Sequence, residues 1–188
     1  MISVIGSGVL TPRSDRFLDL VVGLVNCAGV DEADERALAD VRALLGDYDY
    51  DRSEVNTLDL ATLRFMRAQL HDLLAAPEFT AAARLISQFL ERSDARPVLV
   101  TNAEGQAELS MTSGNTSMSD AVMADIAVAL AALVSRSGLT RLGICGAPAC
   151  GKAFYDRSQA GNRRYCDPQT CGNRANVAAY RRRQKSTR

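Results

Sequence analysis

Cys145, Cys150, Cys166 and Cys171 form two C-x4-C pairs separated by fifteen residues, in a stretch crowded with arginine. Four thiolates suit Zn²⁺, which accepts a closed tetrahedral sulfur shell in structural sites. Such a shell leaves no open position for water, so the chemistry is that of a fold-holding metal; iron is the alternative occupant of a sulfur site. The turn Cys145-Gly146-Ala147-Pro148-Ala149-Cys150-Gly151 is rich in glycine, which permits the positive φ values that curl backbone amides toward metal-bound sulfur. Arg163, Arg164, Arg174, Arg181, Arg182 and Arg183 are the second chemical group. Guanidinium groups in a cluster dock on phosphates and can pair bidentately with guanine.

The formal net charge is zero, with 22 Lys and Arg against 22 Asp and Glu, but the zero is a cancellation. Residues 1–140 carry 11 basic and 20 acidic side chains, and residues 141–188 carry 11 basic and only 2 acidic ones. The excess is therefore nine negative charges before residue 141 and nine positive after it. Zinc with four thiolates would lower the second figure by two and leave its sign unchanged. Asymmetry of this kind points to a polyanion-binding end. The five cysteines are an odd number, and Met1 to Leu10 lacks the basic start of a secretory signal, so a reduced, cytoplasmic chain with metal rather than disulfides is expected. The longest apolar stretch, Ile126 to Val134, is far shorter than the roughly 20 residues a membrane span needs, so no membrane partner is expected.

Helical periodicity dominates the part that must carry the cysteine module. Phe17, Leu20, Val21, Leu24 and Val25 predict a first helix capped by Ser14 and stopped at Gly29. A second starts near Asp31, turns Leu38, Val41, Leu44 and Leu45 inward, and ends at Gly46. A third runs from Thr57 to about Ala76 with Leu60, Leu63, Met66, Leu70, Leu73 and Leu74 inward, and Pro77 opens a fourth that buries Ala82, Leu85, Ile86, Phe89 and Leu90. The period then changes to two: Pro97–Thr101 and Ala107–Met111 predict a hairpin. Ser119 is expected to cap a fifth helix that ends at Gly138. Lys152–Asp156 reads as a strand, Gly161-Asn162 as a turn, and Cys171 as the mouth of a helix through about Arg183, with Val177 and Tyr180 packed on the module and the arginines outward. The expectation is a mainly α fold with a small β-hairpin (α+β), divided into a helical domain over 1–138 and a four-cysteine zinc finger with a basic C-terminal helix over 139–188. No Ser-His-Asp, Cys-His or phosphate-loop constellation suggests an enzyme, and neither His71 nor Cys27 is assigned a role beyond structure.

The segment Cys145 to Arg183 resembles the CGNR zinc-finger family. The resemblance rests on the C-x4-C pair, on Phe154, Asp156 and Ser158 in a Phe-x-Asp-x-Ser run, on Arg-Arg-aromatic-Cys ending at Cys166, and on Cys171-Gly172-Asn173-Arg174. Tyr155 stands where Leu is common, and Tyr165 stands where Trp usually precedes the third cysteine. Leu18-Asp19-Leu20 and Leu24-Val25-Asn26 are similar to the opening helix of the ABATE domain that usually accompanies this finger, with Cys27 where Thr is usual. The resemblance implies a bacterial, stress-linked transcription regulator that binds DNA through the finger and its arginines. The competing expectation is a zinc-stabilised module for protein or RNA, with the helical domain as its partner or as the sensor of a small ligand.

Overall fold

The computed structural model describes residues 12–31, 35–48, 50–51, 55–101, 105, 107–113 and 117–186. Helix α1 spans Pro12–Asn26 and is followed by a short 3-10 turn, Ala28–Asp31. Helices α2 (Glu35–Gly46), α3 (Thr57–Ala75) and α4 (Phe79–Arg92) lead to an antiparallel ribbon of β1 (Ala95–Thr101) and β2 (Ala107–Ser113). Helix α5 (Met118–Ser137) returns the chain to the body, and β3 (Leu142–Ile144), β4 (Ala153–Tyr155) and α6 (Asn173–Ser186) complete it.

The core forms where apolar residues at helical spacing meet. Leu18, Leu20 and Leu24 of α1, Leu63, Met66 and Leu70 of α3, and Met123, Ile126, Leu130 and Leu133 of α5 are sealed from solvent. Among the described residues α5 is the one helix long and apolar enough to cross a membrane, and more than half of it is buried as the central helix of this core. Asn56 caps α3 by accepting the Leu58 N–H, while Asp59 accepts the Asn56 N–H in return. The other Asp59 oxygen accepts the Ser119 N–H at 3.0 Å, so one buried carboxylate joins the N-termini of α3 and α5.

Several expected boundaries shift for local reasons. Helix α1 already runs at Pro12, so Ser14 lies within it and is not its cap. Asp31 closes the 3-10 turn instead of starting α2, which begins at Glu35; the expected first-turn acids Glu32 and Asp34 lie outside the described residues. Glu78 caps α4 through the N–H groups of Thr80 and Ala81, which places Pro77 one residue before the cap. Ser117 caps α5 by accepting the Asp120 N–H, which places Ser119 in the first turn with its own N–H on Asp59. Gly138 does end α5, at φ 64°.

The core continues past α5. Leu139, Leu142 and Ala153 are buried in the same apolar cluster as the helices, so the first strand pair of the cysteine module is seated on the helical body.

Candidate metal centre

The cysteine module begins with β3 and β4, paired antiparallel with Leu142 opposite Tyr155 and Ile144 opposite Ala153. The expected strand around Ala153 is present, but its partner lies upstream in a three-residue strand that periodicity does not reveal. Beyond Ile144 the Cys145 N–H donates to the Lys152 carbonyl at 2.8 Å, closing the first C-x4-C pair into a knuckle. Ala149 and Gly151 take φ values of 59° and 67° there, so the sharpest reversal falls around Cys150. The second pair approaches from the other side: the Gly146 N–H donates to the Arg164 carbonyl at 2.9 Å and stitches one knuckle to the other.

Cys171 is delivered by a helix start. Asp167 accepts the N–H groups of Gln169 and Thr170, Pro168 begins the turn, and Pro168–Gly172 winds as a π-helical turn that passes directly into α6. Pro at a first helical position costs no hydrogen bond. The fourth cysteine therefore sits in the first turn, where the helix dipole favours negative charge.

The four sulfurs lie within 4.8 Å of one another. Cys150, Cys166 and Cys171 form a triangle with 3.6 Å edges. A tetrahedral zinc–sulfur shell with bonds of about 2.3 Å requires edges of about 3.8 Å, whereas a disulfide bond is about 2.05 Å. The donor set thus fits zinc in number, element and spacing. Burial pushes against thiolate formation at Cys145, but N–H groups of Cys166 and Ala147 and the neighbouring thiols lower it to about 7. Burial and the adjacent thiols push Cys166 up to about 12. Negative charge gathered on one sulfur thus resists forming on the next, which is the condition a divalent cation relieves. Cys27 lies outside the cluster, partly buried against the helical core, with its thiol pushed up by burial.

The Phe-x-Asp-x-Ser run has a mechanical reading. Asp156 is 2% exposed, and its oxygens accept the Ser158 N–H at 2.9 Å and the Arg163 N–H at 2.8 Å. Hydrogen bonding from the Ser158 side chain and from these two amides holds its carboxyl below the usual 3.8, against the effect of burial. Ser158 Oγ accepts the Gly161 N–H, and Phe154 lies under the Arg163 guanidinium at 5.4 Å. The loop from 156 to 163 is thereby fixed before it reaches Cys166.

The six arginines have different fates. Arg163 turns inward: it donates to the carbonyls of Tyr165 at 2.8 Å, Tyr155 at 3.3 Å and Cys166, and so braces the backbone around the third ligand. Its neighbour Arg164 is exposed, as are Arg174 and Arg183. Arg174 makes no hydrogen bond to a ligand sulfur among the described residues. Arg181 and Arg182 lie on α6, and their side chains fall outside the described residues, as does that of Tyr180. Val177 is 48% exposed, so it is not the buried contact on the finger that its spacing suggested.

Sequence patterns missed the groups that seat the finger. Tyr155 donates its hydroxyl to Asp15 at 2.6 Å, and Arg157 pairs with Asp15 at 3.1 Å and with Asp19. Burial and that hydrogen bond push Tyr155 up to about 12. Asn26, the last residue of α1, receives the Ala153 N–H and donates to the Ala153 carbonyl. The opposed charges of the two halves were the one available signal, and they did not say which residues meet.

Residues 141–184 match the family model of the CGNR zinc finger. No curated protein matches the chain.

Proposed function

From the premise that residues 141–184 are a CGNR zinc finger, we propose that the chain is a zinc-dependent transcription regulator whose finger presents a basic helix to DNA. The observation that carries this reading is the build of α6. It contains Arg174, Arg181, Arg182, Arg183 and Lys185 and no acidic residue, it is tethered at its first turn by Cys171, and the π-helical turn is the element it chiefly packs against. A helix dominated by basic and polar residues, with Val177 half-exposed, is suited to gaining further support from a partner. Its charge names a polyanion as that partner. The metal aims this helix, since the fourth ligand and the helix start are one turn of chain. The proposed role is binding and not catalysis, because four sulfurs fill the metal's shell. The helical region then corresponds to an ABATE-type domain that senses a protein or a small molecule, in a cytoplasmic setting that keeps the thiols reduced.

A second reading, a protein-interaction module, is favoured by the contact of Arg157 with Asp15 and Asp19, where the finger already binds an acidic surface. That contact uses β4 and the loop after it, however, and leaves α6 unused. RNA in place of DNA is the remaining variant of the polyanion reading. The test is anisotropy of labelled random-sequence duplex DNA and of RNA with the full, zinc-loaded chain across a salt series. Log affinity should fall against log salt with a slope near −0.9 per phosphate neutralised. Replacing Arg181, Arg182 and Arg183 together by Ala should flatten it. Binding without salt dependence, or unchanged by the triple substitution, would overturn the reading; selection from a random DNA pool then tests for an operator.

A further inference from the structure

The C-terminus of α5 and the loop that follows β4 enclose an open cleft of about 660 Å³. Small-ligand pockets are typically about 300–1,000 Å³. The walls come from both halves of the chain: Leu133, Arg136 and Ser137 from α5, and Arg141, Tyr155 and Gln159 from the finger.

The cleft is lined by three guanidinium groups, Arg136, Arg141 and Arg157, and by two carboxylates, Asp15 and Asp156, an excess of one positive charge. Arg157 also lines it but is matched by Asp15 and Asp19. Asp156 is buried, with both oxygens occupied by N–H groups of the finger. Arg141 donates to the carbonyls of Asp156 and Ser158, and its charge acts on the buried Asp156 carboxylate without an ion-pair contact among the described residues. Arg136 is exposed in the last turn of α5, with neither a hydrogen bond nor an ion pair among the described residues. The end of α5 opposes these cations with the equivalent of about half a negative charge. One unmatched guanidinium already exceeds that. Ser137, its hydroxyl hydrogen placed on the Leu133 carbonyl, offers oxygen lone pairs, and Gln159 offers an amide, while Leu133 and the Tyr155 ring supply an apolar surface.

We propose that this cleft binds a small organic anion: one carboxylate or phosphate group between Arg136 and Arg141, on a short hydroxylated carbon chain that reaches Ser137 and Gln159. Because α5 supplies one wall and the finger the other, occupancy fastens the finger to the helical body. The site is independent of what α6 binds.

The test uses the full zinc-loaded chain, with D-glycerate and sn-glycerol 3-phosphate as probes, by calorimetry and by amide chemical shifts. At least one probe should saturate with half-occupancy at or below about 1 mM, a reasonable strength for so few atoms. The shifts should centre on residues 133–141 and 155–159, and the two probes distinguish a carboxylate from a phosphate preference. Arg136→Ala should weaken binding about tenfold, since charge-assisted hydrogen bonds are lost, with the melting temperature lowered by no more than the loss of one exposed charge from the end of α5. Arg84→Ala on α4 should leave binding unchanged. Failure of both probes to saturate, shifts centred on α6, or equal weakening by Arg84→Ala would each overturn the proposal.

Discussion

Asn26 pairs its carboxamide with both backbone groups of Ala153, accepting the N–H at 2.8 Å and donating to the carbonyl at 3.1 Å. One side chain at the end of α1 thus does for the free edge of β4 what a third strand would do. Asn26→Asp keeps an acceptor but sets a carboxylate oxygen against the Ala153 carbonyl. The metal-loaded protein should lose about 1–2 kcal/mol, the range of one or two net hydrogen bonds. Urea unfolding measures it, and an unchanged midpoint would show that the pair contributes nothing.

Cys171 joins the metal shell to the basic helix. Cys171→Ser should abolish stoichiometric zinc, because structural zinc in small fingers supplies about 10–16 kcal/mol of apparent binding energy that is also folding energy. Metal analysis and thiol titration check this: a chelator should expose the cluster thiols to modification while the helical core persists, its buried leucines being independent of the metal. Retention of full zinc by Cys171→Ser would remove that residue from the ligand set.

Asp156 secures the loop between the two cysteine pairs. Asp156→Asn should cost about 2 kcal/mol at neutral pH, the usual scale for hydrogen bonds to a buried charge. Its carboxyl is held below 3.8 in the folded chain, so the unfolded chain takes up the proton first as pH falls. The stabilisation is therefore complete above that ordinary value and disappears as pH drops through the lower folded one. The gap between wild type and Asp156→Asn should stay constant from pH 8 to about pH 5 and close below about pH 4. Because both proteins lose metal in acid, the difference between them is the quantity to follow.

Arg157 and Asp19 form a half-exposed ion pair across the junction. Its coupling energy, from single and double alanine variants, should be about 0.5–1 kcal/mol at low salt, as for other exposed pairs. Near 1 M salt, where the screening length is about 3 Å, it should shrink toward zero. A coupling that persists there would mean that packing on Tyr155, 4.8 Å beneath the guanidinium, dominates instead.

Helix α3 shows how much of the fold was legible in advance. Its expected span, Thr57 to about Ala76, differs from the observed Thr57–Ala75 by one residue. All six expected inward residues are buried, because spacing along a helix fixes the face that packs. The ribbon was expected two residues short on each strand at its open end, since alternation does not show where pairing stops. Strand β3 was not legible: three residues carry no period, and the strand exists because Ala153–Tyr155 lies beside it. Ser119 is not the cap because Ser117, two residues earlier, already accepts the Asp120 N–H and starts the helix. Arg163 and Arg164 are adjacent and chemically identical, yet one braces carbonyls and the other faces solvent.

The chain by itself determined the metal's ligand set and the opposition of charge between its halves. Cysteine spacing and formal charge are properties of nearby residues that folding does not alter. Only the tertiary structure decided how the finger is seated and which arginines remain outward. Those outcomes depend on pairings such as Asn26 with Ala153 and Asp15 with Arg157, whose members lie more than a hundred residues apart. No local pattern encodes such pairs, because each side chain acquires its partner only when the core beneath it has closed.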